Sequence, residues 1–149
     1  MSTTVHAAPL LRLTPDDEPV PGWAVVVTGD RIAAVGPESD LLGAYPGARV
    51  RRWAGTLGPG LRHDGPLPAA PTPRERVHAL FRLGVTAVLA GYVTEPGLRA
   101  VVDRSDVAVL TAPVPVALHS GGRADLAVLA DDGRCLATVL AGRLVHRRA

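Results

Sequence analysis

A chain of 149 residues, 47% of them hydrophobic, is long enough to bury the core of one domain and too apolar to remain disordered. It is too short for a complete eight-stranded β/α barrel, which needs roughly 250 residues. The net charge is only +2, and the longest basic runs are Arg51-Arg52 and Arg147-Arg148. Such a sequence lacks the basic surface with interleaved aromatic residues that binds nucleic acid, so we expect no nucleic-acid partner.

The single cysteine and the absence of long apolar runs set the expected compartment. One cysteine, Cys135, excludes an internal disulfide and favours a reducing environment. The N-terminus has no basic stretch followed by an apolar one, and no apolar run approaches the roughly 20 residues of a membrane span. We therefore expect a cytoplasmic protein without a membrane partner. Cys135 has no neighbouring histidine, which favours a structural thiol over a nucleophile.

Short strands are predicted for the first third of the chain. Residues 6–13 are a candidate first strand. Two β-rich runs, 23–28 and 31–36, flank the dipeptide Gly29-Asp30, which is typical of a tight type II′ hairpin. The elements that follow are a short helix over 37–42, capped by Ser39 or Asp40, and a strand over 48–54.

Two helix–strand units are predicted for the middle of the chain. Thr72 suits the N-cap of a helix, Pro73 suits its first position, and Gly84 suits the residue just after its end. The apolar run 85–90 favours a strand buried on both faces of a parallel sheet. The remaining elements of a β–α–β–α–β arrangement are a helix over 95–102, capped by Thr94, and strands over 61–63 and 107–111.

The last third returns to short strands. Prolines favour an extended conformation for residues 113–119. Strands are predicted over 121–129 and 134–140 around the turn at Asp131-Asp132-Gly133, and a final hairpin turns at 141–143.

Three stretches resemble the amidohydrolase superfamily, in particular its imidazolonepropionase-like members. The first begins at Gly29-Asp-Arg-Ile-Ala-Ala-Val-Gly36 and continues through Tyr45-Pro-Gly-Ala48 to Pro59-Gly60-Leu61. The second is the helix-to-strand segment 76–88, which ends in Gly-Val-Thr-Ala-Val. The third is Gly121-Gly-Arg-Ala-Asp-Leu-Ala-Val-Leu129 with the final hairpin. The resemblance implies a small β-sandwich, the composite domain, formed by both ends of the chain around a β/α barrel.

The predicted fold class is therefore α/β, with most of the barrel missing. Residues 1–60 and 118–149 would form the composite β-sandwich, and residues 61–117 would form a small parallel β/α remnant of a TIM-type barrel, all in one compact unit. A remnant of this kind leaves strand edges and apolar faces uncovered. We expect the chain to cover them with its own loops or by forming a homodimer.

The metal ligands that the resemblance implies are not found in the sequence. In the family, a His-x-His on the first barrel strand holds a metal that activates water, since alternate strand residues face the same way. Alignment from Pro59-Gly60 places Gly65 and Leu67 at the two histidine positions, and neither can bind a metal. His63 and Asp64 remain as candidates for an acid–base or ligand pair. Adjacent strand residues face opposite ways, however, which favours a polar turn.

Three functions stay open. The first is a degenerate, non-catalytic pseudoenzyme that acts as a binding or assembly module, without a cofactor, for a protein or small-molecule partner. The second is a hydrolase of carbon–nitrogen bonds other than peptide bonds, with an atypical site at His63 and Asp64, for which zinc or iron would be expected. The third is a small-ligand carrier with a pocket near Gly91, Tyr92 and Thr111, at the carboxyl ends of two parallel strands.

Overall fold

The computed structural model describes residues 1–148. The strands are β1 (Thr3–Ala7), β2 (Leu10–Leu11), β3 (Val20–Pro21), β4 (Trp23–Thr28), β5 (Arg31–Pro37), β6 (Arg49–Arg52), β7 (Thr56–Pro59), β8 (Leu61–His63), β9 (Val85–Leu89), β10 (Ala108–Leu110), β11 (Leu126–Leu129), β12 (Cys135–Leu140) and β13 (Arg143–Arg147). The helices are α1 (Glu38–Ala44), α2 (Pro73–Arg82) and α3 (Pro96–Arg104), with a 3-10 turn at Ala90–Tyr92. Among these residues no helix has both the length and the apolarity to cross a bilayer.

Two sheets pack face to face as a sandwich. One has the strand order β5-β4-β1-β6, and the other has the order β13-β12-β11-β7-β2-β3. Strands from distant parts of the chain interleave in the second sheet, because β7 lies between β11 and β2. The apolar core between the sheets includes Leu11, Val25, Val27, Leu57, Leu126, Val128 and Val139.

The third sheet is parallel and confirms the predicted β–α–β–α–β arrangement. Its strand order is β10-β9-β8, with every pairing parallel. Helices α2 and α3 lie on one face and bury Val77, Leu80, Leu98 and Val102 together with Val88 of β9. Because Leu140 of β12 joins the same cluster, this layer also packs against the six-stranded sheet. The chain is therefore a mixed α/β protein with a sandwich and a small parallel layer.

Local sequence explains where α2 begins and ends. The hydroxyl of Thr72 accepts a hydrogen bond from the backbone N–H of Glu75 at 3.2 Å, and Pro73 occupies the first helical position. The helix ends before Gly84, whose φ of +82° is the left-handed conformation that favours glycine. Both helix ends confirm the sequence prediction.

Three local predictions were wrong. The first strand is split into β1 and β2, which belong to different sheets, since Pro9 lacks an N–H and the chain crosses between the sheets there. Neither Ser39 nor Asp40 caps α1, because the helix starts directly after Pro37 and includes both residues. Thr94 does not cap α3, because Pro96 begins the helix and Glu95 is its N-cap.

A histidine and a tryptophan close one side of the sandwich. The indole N–H of Trp53, just after β6, donates to Nδ1 of His6 in β1 at 3.2 Å. The two rings are nearly parallel, with an interplanar angle of 6°. Burial, followed by the charges of Arg51 and Arg49, lowers the pKa of His6 from its ordinary value of 6.5 to about 4. His6 is therefore neutral near pH 7, as acceptance at Nδ1 requires.

Two hairpin turns meet at one end of the sandwich. Gly29 has a φ of +61° between β4 and β5, and Asp30 is not in the positive region, which agrees with the predicted type II′ turn. Ala141 and Gly142 have φ values of +49° and +82° in the turn between β12 and β13. A Cβ on Gly142 would collide with the backbone carbonyl of Gly29. The two turns are therefore in backbone contact.

The contact between the turns predicts an unusually costly glycine substitution. Gly133→Ala tests the positive φ alone, because Gly133 has a φ of +88° and open space around its Cβ position. We expect it to cost about 1–2 kcal/mol of unfolding free energy. Gly142→Ala adds the collision with Gly29, and we expect a loss larger by about 1–3 kcal/mol. Urea denaturation measures both, and equal losses would show that the two turns do not touch.

The buried neutral state of His6 predicts a specific pH dependence. The unfolded chain takes up this proton below about pH 6.5, whereas the folded chain takes it up only below about pH 4. Stability therefore falls as the pH decreases through that interval, by about 3 kcal/mol at full extent. His6→Gln keeps an acceptor for Trp53 and should flatten the dependence between pH 7 and pH 5, measured by chemical denaturation. His78→Gln, which changes an exposed histidine, should leave it as in the wild type.

Candidate functional site

The candidate site is the stretch 59–67, which leads from the sandwich into the parallel layer. The backbone N–H of Gly60 donates to the carbonyl of Asp125 at 2.9 Å, and that of Leu61 donates to the carbonyl of Gly84 at 2.8 Å. A side chain at Gly60 would collide with Thr86 of β9. The start of the stretch is thus fixed by the sandwich on one side and by the parallel layer on the other. Strand β8 extends for only three residues and ends at His63.

Asp64 is held by Arg62. Nε of Arg62 donates to Oδ1 of Asp64 at 2.6 Å, and Nη2 donates to Oδ2 at 2.9 Å. These hydrogen bonds are the main reason that the pKa of Asp64 lies below its ordinary value. Arg62 also donates through Nη1 to the backbone carbonyl of Val114. A carboxylate that is ionised and paired with a guanidinium group is a poor general base at neutral pH.

The side chain of His63 is hydrogen-bonded to the backbone and not to Asp64. Its Nε2 donates to the backbone carbonyl of Pro66 at 2.9 Å, which closes the polar turn after β8. His63 and Asp64 are neighbours in the sequence, but in the structure each side chain has a different partner. The residue of this stretch that the sequence did not single out is Arg62, which pairs with Asp64. An Arg-x-Asp pair at a strand end, which recurs at Arg123 and Asp125, was the available signal.

The two positions that the resemblance assigns to metal ligands do not face a common site. Both lie beyond the end of β8, so the alternation that aligns residues along a strand does not apply to them. Leu67 is only 3% exposed and packs in the apolar cluster beneath α2. Gly65 has nothing within 4 Å of its Cβ position.

The residues present therefore do not fit the implied metal. Zinc or iron needs about three or four convergent ligands. Within residues 1–148, no group of three His, Cys, Asp or Glu side chains is placed to hold an ion. No chemical step through a metal can be derived from this arrangement.

A cavity of about 220 Å³ lies on the face of the parallel sheet away from the helices. Thr86, Ala108 and Leu110 line it on the sheet side, and the proline-containing segment 114–117 lines it on the other. The segment is attached at both ends, since Arg62 holds the carbonyl of Val114 and the N–H of Leu118 donates to the carbonyl of Leu13 at 2.8 Å. The chain thus covers this face with its own loop.

The pocket residues predicted from the sequence lie elsewhere. Gly91 and Tyr92 are in the 3-10 turn after β9, and Thr111 follows β10, with all three exposed. None of them lines the cavity beside the parallel sheet.

Two other polar residues have structural surroundings. Oδ1 of Asp125 accepts a hydrogen bond from the backbone N–H of Ala141 at 2.9 Å. Burial raises the pKa of the Cys135 thiol above its ordinary value, as expected for a structural cysteine.

One family model matches a segment of the sandwich. Residues 24–48 match the family model of the imidazolonepropionase-like composite domain of bacteria. A search of curated protein sequences finds no significant match. The matched residues are β4, β5, α1 and the turn after it, where the sequence resemblance also begins.

Solved structures of deaminases and hydrolases share the fold. Guanine deaminase from Bradyrhizobium japonicum has a TM-score of 0.57 and 17% identity, over 73% of this chain and 34% of that one. Aminofutalosine deaminase from Helicobacter pylori has a TM-score of 0.55 and 15% identity, over 72% and 32%. Ochratoxinase from A. niger has a TM-score of 0.51 and 24% identity, over 72% and 30%. At these identities the likeness shows the fold alone, and the chain spans about a third of each of those proteins. The fold is that of an amidohydrolase-like composite domain joined to a short β/α layer.

The burial of Leu67 predicts that restoring two histidines will not restore a metal site. We expect Gly65→His/Leu67→His to take up no zinc in calorimetric titration, because the second imidazole replaces a leucine of the helix-packed cluster. Leu67→His should cost about 2–4 kcal/mol of stability through lost packing and a buried polar ring. Gly65→His alone, in open space, should fold almost as stably as the wild type. Uptake of one zinc ion per chain by the double variant would contradict this prediction and would show that positions 65 and 67 face a common site.

Proposed function

We propose that this chain is a non-catalytic, amidohydrolase-like pseudoenzyme that acts as a binding or assembly module. The observation that carries the proposal is the organisation of the stretch 59–67. Arg62 neutralises Asp64, His63 is bonded to a backbone carbonyl, and Leu67 is buried in the core. Each side chain near the expected reaction centre therefore has a structural partner, and none is poised to activate water.

The length of the internal β/α layer supports the same proposal. Between β7 and β11, which are neighbours in one sheet, the chain contains only three parallel strands. The segment 114–117 lies over the face that would line a barrel interior, with a small cavity beneath it. Within the described chain, the outer edges of β8 and β10 have no strand partner. We propose that a second copy or another protein pairs with one of these edges.

The alternative is a hydrolase of carbon–nitrogen bonds with an atypical site, which the names of the structural neighbours suggest. It would need His63 and Asp64 to act together on one substrate. Because Asp64 is paired with Arg62 and His63 bonds to Pro66, that site would require both contacts to break first. The geometry therefore favours the binding module.

Metal content separates the two functions. We expect the untagged protein, incubated with zinc and then dialysed against a weak chelator, to retain well under one equivalent of metal per chain, because three or four convergent ligands are needed to hold it. Elemental analysis gives the stoichiometry. Asp64→Asn should leave the metal content unchanged. About one equivalent of zinc or iron in the wild type, lost in Asp64→Asn, would refute the binding-module proposal in favour of the hydrolase.

A further inference from the structure

Two arginines lie over the ring of Trp53 on one side of the sandwich, and Arg49 stands two positions before one of them on β6. We call Arg49, Arg51 and Arg147 the arginine seam. Arg51 and Arg147 place their guanidinium carbons 5.5 Å and 5.7 Å from the centre of the indole ring. Arg51 comes from β6, at the edge of one sheet, and Arg147 comes from β13, at the edge of the other. The seam therefore joins two strand edges that are far apart in sequence.

No carboxylate balances the arginine seam among the described residues. The ion pairs of residues 1–148 include Arg52 with Glu38, but none involves the seam. Burial, followed by the charges of Arg49 and Arg147, lowers the pKa of Arg51 from its ordinary value. Like charges thus repel one another here, and an added anion would relieve the repulsion.

The backbone beside the seam is open for strand pairing. Strand β6 pairs in parallel with β1 on one side, and it ends its sheet on the other. Arg49 and Arg51 are two positions apart, so they point to the same face of β6 at a spacing of about 7 Å. Carboxylates at alternate positions of an added strand would have the same spacing.

We propose that the arginine seam binds an extended acidic segment of a partner protein, which pairs with the free edge of β6. The main chain of the segment would hydrogen-bond with β6, and its alternating carboxylates would form bidentate contacts with Arg49 and Arg51. Arg147 would add a third contact from the opposite sheet. This inference rests on the proposed function of a binding module, and it adds a partner site at the edge of β6 to the proposed pairing at β8 or β10.

The aromatic ring at the seam argues for a peptide and against a nucleic acid. Single-stranded nucleic acid binds through exposed aromatic rings on which bases stack. The indole of Trp53 already contacts two guanidinium groups and lies parallel to the ring of His6. The seam consequently offers guanidinium N–H donors to a ligand rather than an open aromatic face. Carboxylates match these donors without requiring a stacking surface.

The test compares two charge-matched double variants. A fluorescein-labelled peptide of alternating Glu and Thr is titrated with the full chain, and anisotropy gives the Kd. Arg49→Gln/Arg51→Gln should weaken binding roughly tenfold or more, because two bidentate contacts are lost. Arg74→Gln/Arg82→Gln removes the same charge from exposed positions of α2 and should bind like the wild type. Both variants should keep the wild-type melting temperature within a few degrees, which excludes unfolding as the cause.

Two further probes test the strand-pairing geometry. A peptide of the same sequence with N-methyl groups on all of its amides has no N–H donor on either edge and cannot pair with an edge strand, so it should bind roughly tenfold more weakly. A peptide of alternating Lys and Thr should not bind. Equal binding by the methylated and unmethylated peptides would overturn pairing with β6.

Other occupants give distinct results. Equal weakening by both double variants would show a net-charge effect and overturn the seam. Seam-dependent binding of oligo-dT without binding of the acidic peptide would identify a nucleic-acid site. Seam-dependent self-association, abolished by Asp16→Asn/Asp17→Asn, would identify a second copy, because these exposed residues lie in the hairpin between β2 and β3. Each of these results would overturn the proposal that the seam binds an acidic segment of a partner protein. None of them would change the metal content, so failure of this proposal can be distinguished from failure of the proposed function.

Discussion

The structure depends on the pairing of β7 with both β11 and β2. Residues 56–59 lie between a strand from the start of the chain and a strand from its last third. Because β7 and β11 are adjacent, everything between them must leave and return at neighbouring points of one sheet. Closing a long loop in this way is entropically costly, and the apolar cores on both faces of the sheet offset that cost. The parallel layer is therefore bound to the sandwich at its first and last residues.

This constraint also shapes the stretch that would carry chemistry. The chain leaves β7 directly into β8, which is short because Leu67 must reach the cluster beneath α2 only a few residues later. Arg62 points the other way and contacts the loop that covers the sheet. The residues of the stretch are thus used to join two layers. The His-x-His strand that the resemblance implies would instead extend further, with alternate side chains free to converge.

Sequence reasoning succeeded where the signal was local. The hairpin of β4 and β5 follows from Gly29, and the limits of α2 follow from Thr72 and Gly84, because each depends on the conformation of a few neighbouring residues. The division of the first strand between two sheets was missed, since it depends on distant partners. The pairing of Arg62 with Val114 was missed for the same reason, across 52 residues. The metal positions were aligned from Pro59-Gly60, but only the structure shows that β8 ends before them.

Arginines on an edge strand can either prevent unwanted pairing or bind a partner, and the geometry of the arginine seam favours the second role. Charged residues on an edge strand prevent unwanted pairing, and that alone would account for Arg49. It does not account for Arg147, which comes from the other sheet and lies over the same indole as Arg51. Charged side chains that point away from each other into water would protect the separate edges of β6 and β13 more effectively. Convergence without a balancing carboxylate, above a buried neutral His6, concentrates positive potential at one place, which favours recognition of an anionic partner.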